Sequence, residues 1–461
     1  MERITCDLCV IGAGSGGLSV AAGAAQMGAD VVLLEGAEMG GDCLNTGCVP
    51  SKALLAAAKR APAGGGGPEV YMAAQDHVAA TIAAIAPHDG QERFEGLGVR
   101  VIRAYGRFVS AQEVTVGGYR IAARRFVIAT GSAPLVPPIP GLDQVPYLTN
   151  ESLFDLRDRP AHLIVIGGGP IGLEMAQAHW RLGCRVTVIE AATALGRDDP
   201  ELAAIVVDKL RGEGIDILER TAVEHVSGQD GEITVQIPGG TISGSHLLVA
   251  AGRKINLERL DLDRAGIAHD RSGVSVDARL RTSNRRVFAI GDAAGGLQFT
   301  HVAGYHAGIV VRQALFGLPA KARTDHIPWV TYTDPELAQI GLTEAQARTR
   351  YGARLEVVRA AMAGNDRAVT DGKTAGLIKV MVVRGRPVGV SIAGAQAGEL
   401  IALWALVMAN KLKMTAIANM VAPYPTLGEA SKRAAGNYFS PRLFENPTVK
   451  RVVRAVQRIL P

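Results

Sequence analysis

Cysteine is scarce in this sequence: five residues in 461, at positions 6, 9, 43, 48 and 184. An odd, sparse set excludes a secreted disulfide scaffold and points to a reducing compartment, where a disulfide is expected to be catalytic. Charge of one sign is wanting too. Forty-nine basic against 44 acidic residues leave +5, with no clustered basic run, which argues against nucleic acid as a partner. The longest apolar stretches, such as Ile401 to Asn410, are too short to span a bilayer and run into Lys411 and Lys413, so no membrane span is expected. No basic leader with a cleavable apolar segment precedes the strand pattern at Ile4 to Val10, so no secretion signal is read and a cytoplasmic location is expected. Disorder is excluded by the 48% of apolar residues, which at this length support two to four domains with full cores.

Glycine, by contrast, is plentiful: 55 residues with no collagen-like period, as suits tight turns and close backbone approach to ligands. One glycine unit occurs twice. Val10-Ile-Gly12-Ala-Gly14-Ser-Gly-Gly17 and Val165-Ile-Gly167-Gly-Gly169-Pro-Ile-Gly172 each follow a short apolar strand and open a helix-like run. A second strand then ends in a carboxylate, Glu35 or Glu190. The step from first glycine to carboxylate is identical in the two copies, 12 to 35 and 167 to 190. Two βαβ units of one kind, and so two dinucleotide sites, follow. In each, the first glycine makes the turn, the second lets backbone N–H groups approach a pyrophosphate, and the third lets helix and strand pack closely.

The rest of the chain fits around these copies. Phe126 to Pro134 reads as a buried strand broken by glycine and proline, and Val287 to Asp292 as a similar strand after the second copy. The expected layout is a first dinucleotide domain at 1–150 that resumes at 277–326, a second at 151–276, and a domain at 327–461 with no glycine fingerprint. That last domain has alternating strands (376–383, 388–393) and an apolar helix near 399–408, suited to an oligomer interface. The glycine run at 63–68 reads as a surface turn, because no strand precedes it.

Cys43 and Cys48 lie in Gly40-Gly41-Asp42-Cys43-Leu-Asn-Thr-Gly47-Cys48-Val-Pro50-Ser-Lys52, which starts five residues after Glu35. Their offset is near helical spacing, so a disulfide between them is reachable. A helix is expected through 53–59, and its N-terminal dipole together with Lys52 would favour thiolates, as thiol exchange at neutral pH requires. A structural disulfide closing so short a loop would stabilise little, and a zinc site lacks a second cysteine pair. No metal site is read. Cys6 and Cys9 read as core residues on opposite faces of a strand, and Cys184 as packing.

With these segments on view, the chain resembles the pyridine nucleotide-disulfide oxidoreductase family, the group of dihydrolipoyl dehydrogenase, glutathione reductase and mercuric reductase. The carriers are the two fingerprints, the Cys43 to Lys52 segment, Ala129-Thr130-Gly131, Ala251-Gly252-Arg253 and Ile290-Gly291-Asp292, spread over nearly the whole length. The resemblance implies an α/β fold with two Rossmann-like domains, for FAD and NAD(P), plus an α+β dimerisation domain, in a homodimer. It implies electron flow from NAD(P)H through FAD to the Cys43/Cys48 disulfide, and on to a disulfide-type or other thiol-reactive small molecule. Gly12, Gly14, Gly17, Glu35, Gly41, Lys52, Thr130, Gly131 and Asp292 would serve FAD, with Asp292 on the ribityl chain. Gly167, Gly169, Gly172, Glu190 and Gly252 would serve NAD(P). Cys48 would face the flavin as thiolate and Cys43 would attack the substrate. Lys52 would lie near the flavin N5 and pair with Glu174; from spacing alone both residues read as solvated helix face.

One departure matters. Disulfide reductases of this family carry a histidine five residues before a glutamate as acid/base, supplied by the partner subunit. Here Glu429 is retained, but Tyr424 stands at the histidine position. A phenol, with a reference pKa near 10, is a poor base at neutral pH yet can donate a hydrogen bond. Tyr424 and the stretch Asp366 to Gly372 resemble mercuric reductase, though no cysteine follows Cys184 in this chain, against the vicinal pair that ends those enzymes. Metal-ion reduction, an NAD(P)H oxidase or quinone reductase using flavin alone, and a non-catalytic scaffold subunit are the alternatives. NADH is expected over NADPH, because Glu190 can accept from both ribose hydroxyls and would repel a 2′-phosphate; the competing reading has Arg197 folding back to bind that phosphate.

Overall fold

The computed structural model of the protein describes residues 1–460 other than 63 and 65. Ala63 and Gly65 of the glycine-rich turn expected at 63–68 therefore lie outside the described residues. The chain divides into two compact units, one of residues 1–168, 175–191 and 221–323, the other of residues 169–174, 192–220 and 324–461.

In the first unit β1 (Glu2–Ile11), α1 (Ser15–Gln26) and β2 (Val31–Leu34) build a βαβ element, with β1 and β2 parallel from Leu8 opposite Val31 to Ile11 opposite Leu34. Every residue of β2 is buried, as in strands covered on both faces. After α2 (Gly41–Asn45) and α3 (Cys48–Arg60) come β3 (Arg100–Ile102), β4 (Arg107–Ser110), β5 (Glu113–Val116) and β6 (Tyr119–Ile128). They complete a sheet of order β3-β2-β1-β6-β5-β4. A short β7 (Ser132–Pro134) leads to the second βαβ element, β8 (His162–Ile166), α4 (Pro170–Arg181) and β9 (Arg185–Ile189). β8 pairs in parallel with β9 and with β10 (His246–Val249). β11 (Arg253–Ile255) pairs antiparallel with β7. β12 (Val287–Ala289) then returns to the first sheet beside β6, and α5 (Thr300–Ala314) follows.

Cys6 and Cys9 are both core residues, but they share one side of the sheet rather than taking opposite faces. Ile4, Cys6, Cys9 and Ile11 belong to one apolar cluster, whereas Leu8 and Val10 belong to the other. The alternation breaks at Asp7: its N–H and that of Leu8 both donate to Asp30 O (3.0 and 3.1 Å), so two successive amides turn to the same side, while the register with β6 is kept. Burial raises both thiols, Cys6 to about 12, so neither ionises. Cys184 is likewise buried and raised to about 12.

The second unit is an antiparallel sheet of β13 (Pro328–Thr331), β14 (Glu336–Gly341), β15 (Leu355–Ala361), β16 (Leu377–Val383) and β17 (Arg386–Gly394), in the order β13-β14-β17-β16-β15. α6 (Glu344–Tyr351) starts on a Thr343/Gln346 capping box. α7 (Ala397–Ala409) buries Ile401, Trp404 and Val407, and Trp404 Nε1 donates to Ser431 Oγ (3.1 Å) of α8 (Glu429–Phe444). Lys379 of β16, 3% exposed, is ringed by carboxylates: Asp199 (2.9 Å), Glu201 (2.8 Å) and Glu344 (2.6 Å). Asp199 caps the helix Pro200–Glu213, and Arg359 of β15 joins Glu201 (2.7 Å) and Glu344 (2.9 Å).

Candidate active site

The first glycine turn is too tight for a side chain at its first and last glycines. A Cβ on Gly17 would lie 1.8 Å from Gly12 O, and one on Gly12, which has φ +105, would lie 2.4 Å from Ala129 O. α1 starts at Gly14 without a side-chain cap and has no acidic residue in its first turn, so its N-terminus suits a pyrophosphate. Glu35, at the end of β2, accepts from Ala13 N–H (2.6 Å) and Ala37 N–H (2.7 Å) and so fixes the turn's far side. These are features that a dinucleotide needs, and FAD fits them.

The cysteine segment is fastened to the same turn. Gly40 N–H donates to Ala13 O (3.0 Å), and Gly14 and Gly40 form a parallel bridge. Gly41 comes so close that a Cβ there would lie 2.8 Å from Gly14 Cα. Cys43 then sits in α2, and Cys48 is the first residue of α3, at the positive end of that helix dipole. Both are free thiols, Cys43 half-buried and Cys48 exposed.

The two sulfurs are polarised in opposite directions. Cys43 donates a hydrogen bond to Cys48, which lowers the Cys48 thiol to about 6 although the protein around its sulfur, on an otherwise exposed residue, partly desolvates it. Thr300, whose Oγ1 lies 3.5 Å from Cys48 Sγ, and the charge of Lys52 act in the same direction. The same hydrogen bond, followed by burial, pushes Cys43 far up. The pair thus favours one thiolate beside one thiol, with the Thr300 hydroxyl and the Lys52 charge both favouring the charged form on Cys48.

Asp42 anchors the segment. Its Oδ1 accepts from Thr46 Oγ1 (2.8 Å) and Asn150 Nδ2 (2.9 Å), and its Oδ2 lies 3.1 Å from an Arg253 nitrogen. Arg253 also donates from Nε to Ser132 Oγ (2.7 Å), and Ser132 Oγ donates to Asp292 Oδ2 (2.5 Å). Burial raises the Asp292 carboxyl while Ser132 and Arg253 oppose the rise. Thr130 Oγ1 donates to Asn256 O (2.7 Å), and Asn256 N–H donates to Gly131 O (3.1 Å). Pairing of β7 with β11 thus joins the Ala-Thr-Gly and Ala-Gly-Arg segments, and Arg253 links them to the thiol segment and to Asp292.

The second glycine turn repeats the first. Gly167 has φ +116, a Cβ on it would lie 2.4 Å from Ala250 O, and Gly168 N–H donates to Glu190 Oε2 (2.7 Å). Gly169 precedes α4 and Gly172 lies within its first turn; Gly252 has φ +133. In the second unit Glu174 is buried and accepts from Tyr332 N–H (2.9 Å). Tyr424 is 71% exposed and its hydroxyl donates to Asp366 Oδ2 (3.1 Å); that carboxylate raises the phenol above its usual value. Glu429, at the start of α8, accepts from Thr426 N–H (3.3 Å).

Sequence reading missed Thr300, Ser132, Asn150 and the anchoring roles of Asp42 and Arg253. Arg253 was within reach, since it ends the Ala-Gly-Arg segment. Nothing local marks Thr300, 252 residues from the sulfur it approaches.

Two dinucleotide cradles and a polarised thiol pair fastened to one of them define the class of flavoprotein disulfide reductases. Residues 6–307 match the model of the pyridine nucleotide-disulphide oxidoreductase family, and residues 327–435 match that family's dimerisation domain. The chain belongs to this family. The mercuric reductase of Streptomyces lividans is 35% identical over 460 residues, covering 94% of this chain and 96% of that one; that of Bacillus cereus is 34% identical, covering 93% and 70%. The structure of the HOCl-induced flavoprotein disulfide reductase RclA from Escherichia coli superposes with a TM-score of 0.84 at 29% identity, covering 93% of this chain and 99% of that one. This protein is an oxidoreductase that uses FAD and a pyridine nucleotide, as its family does.

Proposed function

We propose that the enzyme oxidises NADH and, through Cys48 and Cys43, reduces a small thiol-reactive acceptor, with a soft metal ion as the best-supported case and a disulfide as the second. FAD takes the first glycine turn, held by Gly12, Gly14, Gly17, Glu35, Gly41, Thr130, Gly131 and Asp292, and when bound it supplies the two-electron relay between nicotinamide and sulfur. The pyridine nucleotide takes the second, at Gly167, Gly169, Gly172, Glu190 and Gly252, where the Glu190 carboxylate favours a free ribose 2′-hydroxyl. Lys52 and Glu174 have supporting roles. The match to the dimerisation domain supports a homodimer in which Tyr424 and Glu429 of one subunit serve Cys43 of the other.

The single observation that carries this reading is the thiol pair fastened to the first glycine turn, with Cys48 at the start of α3 and the Thr300 hydroxyl 3.5 Å from its sulfur. Tyr424 narrows the acceptor. NADH delivers two electrons and leaves as NAD⁺ with one proton. A disulfide must take up two protons to leave as two thiols, so its turnover needs an acid/base group. A phenol held protonated by Asp366 donates but does not cycle. A divalent soft metal ion held between Cys43 and Cys48 is reduced to the metal by two electrons and takes up no proton itself, the two cysteine sulfurs being returned to the enzyme. Mercuric reductases among the relatives, and a solved Cu(II) complex of RclA, agree with that chemistry.

Steady-state kinetics test the reading. We expect kcat/KM to be higher with NADH than with NADPH, and higher with Hg(II) than with glutathione disulfide or lipoamide. Tyr424→His should raise disulfide turnover by up to roughly 10²-fold by restoring a base, with little effect on the metal ion. Preference for NADPH, or disulfide turnover that exceeds metal turnover and ignores Tyr424→His, would overturn it.

A further inference from the structure

The helix that follows α8 has no part in the redox reading. α9 (Pro447–Gln457) starts on its own signals: Pro447 occupies the first turn, and the Asn446 side chain accepts from Thr448 N–H (2.9 Å) and Val449 N–H (3.4 Å). Not one of its residues is buried. Val452 (56%), Val453 (51%), Val456 (40%), Ile459 (82%) and Leu460 (59%) are exposed, a density of bare aliphatic surface unusual for a water-facing helix. Between Asn446 and Leu460 every charged side chain is basic: Lys450, Arg451, Arg454 and Arg458.

Helical spacing sorts these residues. Val449, Val452, Val453 and Val456 fall on a stripe about 100° wide, the cations Lys450, Arg451 and Arg454 fall on the remaining surface, and Arg458, Ile459 and Leu460 follow in the turn that ends the helix. No basic run is evident along the chain, because the cations are gathered only by the turn of the helix. We propose that α9 lies in the plane of an anionic phospholipid surface, its aliphatic stripe entering the acyl boundary and its cations reaching the headgroups. α9, with 11 residues, extends about 16 Å, too short to cross a hydrocarbon core of about 30 Å. A second copy of the helix is the poorer occupant, since it would bring identical cations to the flanks of the seam, where pairing helices place opposite charges.

The test uses the full-length, flavin-loaded enzyme and sucrose-loaded vesicles of phosphatidylcholine, with or without phosphatidylserine at roughly one quarter of the lipid. Retention on the anionic vesicles should exceed that on neutral ones by at least about tenfold and should fall in high salt. Val452→Asp with Val456→Asp should abolish retention, and Arg451→Glu with Arg454→Glu should abolish the anionic preference, while each double variant keeps wild-type thermal stability and NADH oxidation. Failure of the wild type to bind at low salt, or equal binding by wild type and the Asp variant, overturns the proposal. So does light scattering in which the Asp variant alone falls to a smaller assembly while vesicles retain neither protein, which would give the stripe to a second copy.

Discussion

A thiol titrating near its ordinary value of 9 is almost wholly protonated at neutral pH and is a slow nucleophile. Cys48 escapes this because three neighbours favour its charged form: the Cys43 thiol, the Thr300 hydroxyl and the Lys52 charge. The sign follows directly. Lowering the value to about 6 leaves the thiolate dominant above that pH and lost below it. We therefore predict that the thiolate signature of the two-electron-reduced enzyme, read as long-wavelength absorbance or as ultraviolet thiolate absorbance, titrates away on acidification with a midpoint near 6 rather than near 9. Thr300→Val should move that midpoint upward. At this scale the cysteine pair and its carboxylate and glycine neighbours were legible, because motif spacing is local. The sources of polarisation were only half legible: helix start and Lys52 lie beside the pair in sequence, whereas Thr300 arrives from α5.

Periodicity made the elements readable. The two glycine-to-carboxylate repeats specified both βαβ elements, and the strands of the second unit showed their alternation. Where a strand departs from regularity, pattern reading failed: the two amides at Asp7 and Leu8 that share Asp30 O put Cys6 and Cys9 on one side. Long-range charge clusters were equally hidden. Lys379 and Asp199 are 180 residues apart and nearly sealed from solvent, and together with Glu201, Glu344 and Arg359 they tie β16, β15, α6 and the helix Pro200–Glu213. Lys379→Met leaves Asp199 buried without its cation. It should cost about 3–5 kcal/mol in urea unfolding at neutral pH. The deficit should narrow as pH falls through the carboxylate range, because Glu201 and Glu344, held low by Arg359 and Lys379, lose on protonation the charge that Lys379 balances. An unchanged midpoint at neutral pH would show the cluster to be energetically neutral.

Across the whole molecule, one plan recurs: a glycine turn, a thiol pair fastened to that turn through Gly40 and Gly41, and a second glycine turn built like the first. That plan was legible because a repeat is visible without knowing what it contacts. The acceptor was not, since Tyr424 and Glu429 sit in a stretch without a motif that names a substrate, and their meaning comes from what replaced an expected histidine. The central claim is that two electrons from NADH reach the Cys43/Cys48 pair through bound flavin. Anaerobic titration of the oxidised enzyme with NADH, followed by absorbance, tests it most directly. The account predicts a yellow protein that develops long-wavelength charge-transfer absorbance as two electrons enter, and a Cys48→Ser variant that stays yellow but never develops it. A protein that carries no flavin, or a Cys48→Ser variant with the same long-wavelength band and undiminished acceptor turnover, would contradict it.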